Sequence, residues 1–163
     1  MDRAGLQAMV DDRQLERSTP DSDDARSRLR QARADLATVQ ALLSTISPSN
    51  PKGPCSLAWE AVLESLLGWL ALFGYRITSE RGHHAIALRA VRAVLDTRDT
   101  GALLQRLDGL RRLRDNALYN NLPIDADEVE AFVPDVAKLV GWLGQAVDRV
   151  LPGPGRPSPT SRR

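Results

Sequence analysis

Leu103-Leu104-Gln105-Arg106-Leu107-Asp108-Gly109-Leu110-Arg111-Arg112-Leu113-Arg114-Asp115-Asn116-Ala117-Leu118-Tyr119-Asn120-Asn121 decides the fold. Leu103, Leu107 and Leu110 recur at alternating four- and three-residue steps, which line one face of an α-helix. The next step falls on Arg114 and the one after on Ala117. At about 100° per residue, Arg114 lies within roughly 20° of the middle of the leucine stripe. A guanidinium cannot shed its charge there and must find partners. A local rule broken inside a consistent helix points to a functional or interface position. The competing reading is a structural arginine paired with a carboxylate of a neighbouring helix.

The same periodicity extends in both directions. Leu29, Ala32, Leu36, Val39 and Leu43 keep a near-heptad step, with Asp24 or Ser22 as the expected cap. Arg26, Arg28, Arg30 and Arg33 lie mostly off that stripe and read as a solvated face. The breaker-rich Ser47-Pro48-Ser49-Asn50-Pro51-Lys52-Gly53-Pro54 ends the helix. A second helix is expected from about Ser56 to Phe73, with Trp59, Val62, Leu63, Leu66, Trp69, Leu70 and Phe73 on its bulky face. Ala58, Ala61, Ser65, Gly68 and Ala71 make a small face, suited to close approach by another helix, within the subunit or across a dimer. Glu60 and Glu64 stand one turn apart on that thinner side and are the expected structural partners of Arg114.

A connector from Gly74 to Gly82 leads to a third helix, capped by Ser79 and ending at Leu95. Adjacent His83 and His84 point about 100° apart on a helix, so they suit a role at its start better than shared metal ligation. Asp99 or Thr100 is expected to cap the fourth helix, which stops before Leu122-Pro123. A last helix begins after Asp125, with Asp127, Glu128 and Glu130 near its positive end and a kink expected at Pro134. No strand-period run and no internal repeat is visible. The expectation is an all-α fold, an antiparallel bundle of four to five helices over residues 25–151. Residues 1–24, with room for one short helical turn around Leu6 to Leu15, and the Pro/Gly/Arg tail at 152–163 are expected to be disordered.

The 163 residues carry 22 basic and 21 acidic side chains, a net charge of +1. Nucleic-acid contact therefore requires a local patch rather than a global field. Cys55 is the only cysteine, which excludes an intramolecular disulfide and suits a reducing, cytoplasmic setting. Glu60 and Glu64 near the start of the most apolar segment, Leu57 to Tyr75, favour a buried helix over a membrane span. Phosphate-cradling glycine loops, serine elbows and zinc-binding His-Glu-x-x-His motifs are absent. The leucine stripe of the fourth helix favours a bundle element over the recognition helix of a transcription factor.

The order of these features resembles the HEPN superfamily of small all-α domains. The hydrophobic helix ending in Leu72-Phe73-Gly74-Tyr75-Arg76, the Gly82-His83-His84 start of the third helix, the arginine motif closing the fourth and the amphipathic helix after it carry the likeness. Gly-His-His with Arg-Asp-x-x-x-Tyr is similar to one bacterial branch. The resemblance implies a homodimer with two motifs facing each other, acting on RNA or a nucleotide. The setting it implies is defence or toxin–antitoxin, with an antitoxin-like protein as partner. It further implies a metal-independent endoribonuclease needing no cofactor, in which Arg114 holds a phosphate, Asp115 or Asn116 orients groups around it and Tyr119, contacting the ribose or base, stands where the family has histidine. Arg111, Arg112, Asn116 and Asn120 are the implied RNA- or phosphate-binding residues. Histidine suits proton transfer at neutral pH, whereas phenols in general titrate at about 10, so weakened or lost cleavage is expected. Arg114 and Tyr119, five residues apart, diverge by about 140° on a regular helix. They converge only where the helix loosens or a second subunit completes the site. The alternative is a non-catalytic interaction module in which Arg114 is structural.

Overall fold

The computed structural model describes residues 1–45, 51–78 and 82–150. Its order is α1 (Arg3–Asp11), β1 (Leu15–Arg17), α2 (Ser22–Thr45), α3 (Lys52–Leu72), β2 (Tyr75–Ile77), α4 (His83–Leu95), α5 (Arg98–Tyr119), α6 (Ala126–Glu130) and α7 (Val133–Val150). The domain is all-α apart from one short two-stranded ribbon. The apolar helix α3 is the centre, packing on α2, α4, α5 and α7. By length and composition α3 could cross a membrane, yet 67% of its most apolar window is buried in this core.

The small face of α3 is used within the subunit. Ala58, Ala61, Ser65, Gly68 and Ala71 are all buried. A Cβ on Gly68 would come within 2.7 Å of the Leu143 side chain, so glycine sets the distance at which α7 crosses α3. One residue on, facing α2, a Cβ on Gly144 would meet the Arg33 guanidinium at 2.7 Å. Burial of the Leu139, Val140, Leu143 and Val147 stripe joins α7 to the same core.

The N-terminal residues differ from expectation. Instead of a disordered segment over 1–24, α1 docks Leu6 and Met9 into the core, and Leu15 follows them. Asp2 caps α1 through the Gly5 amide, and the Asp2 amide donates to the Ala93 carbonyl at 2.8 Å, tying α1 to α4. Three large apolar side chains among polar neighbours are too sparse to show a period, but they bury against a face that already exists.

β1 pairs antiparallel with β2 in the register Leu15↔Ile77, Glu16↔Arg76, Arg17↔Tyr75. Glu16 and Arg76 form a cross-strand ion pair. Three-residue strands are too short to display alternation, which is why the connector after Gly74 carries no strand signal. The left-handed Gly74, with φ +71°, turns α3 directly into β2.

Helix starts also shift. Asp21, rather than Ser22 or Asp24, caps α2 by accepting from the Asp23 and Asp24 amides. Helix α3 absorbs Lys52, Gly53 and Pro54, since proline is tolerated in a first turn. Thr97, ahead of the expected Asp99 or Thr100, caps α5 through the Thr100 amide. Asp125 and Glu128 form a capping box on α6. Pro134 does not kink a continuous helix: α6 ends at Glu130, a turn follows, and Pro134 sits in the first turn of α7. Ser79 and the tail at 152–163 lie outside the described residues.

Candidate functional site at the junction of α3, α4 and α5

Helix α5 keeps its leucine stripe buried through Leu103, Leu107 and Leu110, then delivers Arg114 to the edge of the core. The Arg114 side chain is only 13% exposed. Its Nη1 donates to Asp115 Oδ1 at 3.1 Å, and its Nη2 lies 3.9 Å from Glu60 Oε1, beyond hydrogen-bonding range. Its Nε is buried with no hydrogen-bond partner among the described residues. A mostly buried guanidinium with one good bond retains unused donor capacity.

Of the two expected structural partners, only Glu60 approaches Arg114. Glu64 instead accepts from Arg28 Nη1 at 3.0 Å, and Arg28 Nε donates to Asp24 at 3.0 Å. Arg28, expected on a solvated face, therefore clamps α2 to α3. The one-turn separation of Glu60 and Glu64 sends each toward a different helix. Burial works against the Arg28 charge, but Asp24 and Glu64 outweigh it and raise its pKa. At Glu60 the balance reverses: burial pushes the carboxyl up, and the nearby Arg114 charge does not compensate.

Asp115 ties the motif together. Its Oδ1 accepts from Arg114 and its Oδ2 from Arg111 Nη1 at 2.9 Å. Arg111 also donates to Asp108 at 2.7 Å, and Arg112 reaches the other oxygen of Asp108 at 2.9 Å. Burial opposes the Asp108 charge, but the two arginines outweigh it and lower its pKa. Arg112 itself is exposed.

Tyr119 is brought to Arg114 despite the angular offset. The guanidinium carbon lies 5.9 Å from the centroid of its ring, in cation–π range, and the tyrosine is 74% exposed. Helix α5 ends at this residue, with Asn120 as its cap. Asn116 and Asn120 are not drawn into the cluster. The Asn120 side-chain amide donates to the Asn116 side chain at 3.1 Å, and the Asn116 backbone carbonyl accepts from the Asn120 and Leu122 amides. Both asparagines serve the helix terminus. Asn121 takes a left-handed conformation, φ 53°, and accepts from Lys52 at 2.8 Å.

One residue of this site is not legible as such in the sequence. His84, expected to serve the start of α4, lies against the fully buried Trp59, ring centroids 5.4 Å apart. Burial lowers its pKa, and the charge of Arg114 lowers it further. Burial and the Arg114 charge therefore both favour the neutral imidazole. Its only sequence signal is its place in Gly82-His83-His84, far from Arg114 along the chain and unconnected to it by period. Cys55, buried on α3, also senses Arg114; burial pushes its thiol up to about 11, so it is an inert thiol rather than a nucleophile.

The junction thus sets one under-satisfied guanidinium beside an exposed phenol and a pair of salt-bridged arginines, with the His84 imidazole packed on Trp59 from α4. This set can hold an anion, and it includes an imidazole whose neutral form is favoured. No family model, curated protein or solved structure matches the chain.

Proposed function

We propose that this protein is a HEPN-like, homodimeric RNA- or nucleotide-binding domain whose Arg114 site receives a phosphodiester. The observation that carries the reading is the unpartnered, buried Nε of Arg114 next to a glutamate too distant to hydrogen-bond. An arginine kept only for stability is expected to have its donors filled. A phosphate supplies the acceptors that this guanidinium lacks once the side chain swings outward from the core edge, and bidentate contact is the geometry in which guanidinium binds phosphate best. Tyr119, exposed at the helix end, is suited to stacking on a base or contacting the ribose.

His84 is the group in this cluster suited to accept the ribose 2′-hydroxyl proton, a role Tyr119 fills poorly. Cleavage is then expected to be weak: the imidazole comes from α4 rather than from the motif, and it is held by Trp59. A defence or toxin–antitoxin setting, with an antitoxin-like partner, fits such an activity. The second reading, a non-catalytic interaction module, is favoured by the flanking of Arg114 by Glu60 and Asp115 and by its low exposure.

The test is incubation of the purified protein with total RNA, without added metal, beside Arg114→Ala, His84→Ala and Tyr119→His. Binding or cleavage by the parent that disappears in a folded Arg114→Ala supports the proposal. Enhanced cleavage by Tyr119→His supports a site that has lapsed from a stronger one. Neither binding nor cleavage by the parent, together with unfolding or dissociation of Arg114→Ala, establishes the structural module.

A further inference from the structure

A groove of about 680 Å³ runs between α4 and α5 and ends beside the Arg114 cluster. From α4 it is lined by Arg89 and Arg92, and from α5 by Gln105, Asp108, Arg111 and Arg112. The spacing explains the alignment. Residues 89 and 92 share one face of α4, and 105, 108, 111 and 112 share one face of α5. Four guanidiniums face one lining carboxylate, Asp108, in a chain whose net charge is only +1. Among the described residues neither Arg89 nor Arg92 has a carboxylate partner; Arg89 donates to the neutral side chain of Gln14. Both are exposed.

The groove has a direction. At one end the Arg92 guanidinium lies over Gly101, where a Cβ would sit 3.7 Å from it. At the other end Arg111 reaches Asp115, whose second oxygen holds Arg114, while Ala85 on the opposite wall follows His84. The stretch of α5 from 104 to 112 spans about 12 Å. The arginines are thus strung along a track that leads to the candidate site rather than gathered at one point, which fits a chain of phosphates better than a single anion.

We infer that the α4–α5 groove is the path of a single-stranded RNA backbone, with Arg89 and Arg92 holding phosphates on the strand whose next phosphodiester lies at Arg114. The inference rests on the RNA-binding reading of the Arg114 site and adds to it two residues and a path for the strand. The arrangement of two facing helices and the absence of aromatic residues from the lining make backbone contact, not base stacking, the mode of binding here.

The experiment is fluorescence anisotropy of a 5′-labelled single-stranded oligouridine, titrated with the full chain at two salt concentrations. The variants are Arg89→Glu/Arg92→Glu, Arg114→Ala and, as a charge-matched control away from the groove, Arg26→Glu/Arg30→Glu. The groove variant is expected to weaken binding by more than about tenfold and to flatten the salt dependence by roughly 0.7 for each phosphate it no longer holds. The control is expected to bind as the parent does. Parent-like binding by a folded groove variant overturns the track while leaving Arg114 binding standing. Equal weakening in the control, or equal competition by polyglutamate of matched charge, also overturns it, because the effect is then general charge attraction. A parent that does not bind the oligonucleotide at all overturns both the track and the reading on which it rests.

Discussion

Arg28 and Arg114 are the same side chain in two environments, and α3 supplies a glutamate to each. Arg28 reaches Asp24 and Glu64 at 3.0 Å apiece, with its charge reinforced by both. Arg114 is more deeply buried, yet it makes one hydrogen bond, stands 3.9 Å from Glu60 and leaves its Nε without a partner. The first arrangement is a clamp between two helices. The second pairs the charge with Asp115 but leaves a buried donor unmatched, in a junction that also holds Tyr119. Burial of an arginine therefore does not by itself identify a structural residue; the number of its donors that are filled does.

The largest expected contrast comes from truncating each arginine. Arg114→Ala should lower RNA affinity by about tenfold or more, the value of one charge-assisted hydrogen bond, while the thermal unfolding midpoint stays near that of the parent. Arg28→Ala should do the opposite. It should cost about 1 kcal/mol of stability, discounted for the partial exposure of its partners, and leave RNA affinity unchanged. Denaturant titrations alongside RNA binding read both. Reduced stability in Arg114→Ala with no change in binding would erase the distinction.

Double-mutant cycles sharpen the same comparison at smaller amplitude. The Arg28–Glu64 pair should show a coupling of about 0.5–1 kcal/mol, and Arg114–Glu60 close to zero, since Glu60 is 43% exposed and out of hydrogen-bonding range. A larger coupling at Arg114–Glu60 would favour the structural reading.

The smallest effect is in pH dependence. The pKa of His84 is lower in the folded protein than in the unfolded chain, first through burial and then through Arg114. As pH falls through about 6.5, the unfolded chain takes up a proton that the folded one resists, so stability declines on the acid side. His84→Gln should remove that part of the decline and leave the pH dependence above neutrality unaltered. A phosphate bound at Arg114 offsets the charge that depresses His84, so saturating RNA should move the imidazole titration upward. Titration of His84 followed by NMR, with and without RNA, checks the direction.

Much of the architecture is legible in the sequence because helices α2, α3, α4, α5 and α7 carry long apolar periods. The leucine stripe of α5 places Arg114 at its end, and the paired acids on α3 include one true neighbour of that arginine. What is not legible depends on long-range pairing. Leu6, Met9 and Leu15 bury in the core without forming a pattern of their own. The β1–β2 ribbon joins residues about sixty positions apart through three-residue strands. Glu64 turns to Arg28 rather than Arg114, and one sequence cannot say which of two acids one turn apart faces which helix. Within the site, Arg111, Arg114, Asp115 and Tyr119 come together as the motif suggests, whereas Asn116 and Asn120 turn to each other. His84 is hidden from sequence reasoning because only the packing of α4 on Trp59 brings it there.

The most direct measurement is a side-chain Nε–H NMR spectrum of arginine-labelled protein, titrated with a short single-stranded RNA. The Arg114 Nε–H resonance is predicted to shift as the RNA binds and its buried, unpartnered donor gains an acceptor, while that of Arg28 stays fixed. An Arg114 resonance unmoved by saturating RNA would contradict the account and make Arg114, like Arg28, part of the scaffold.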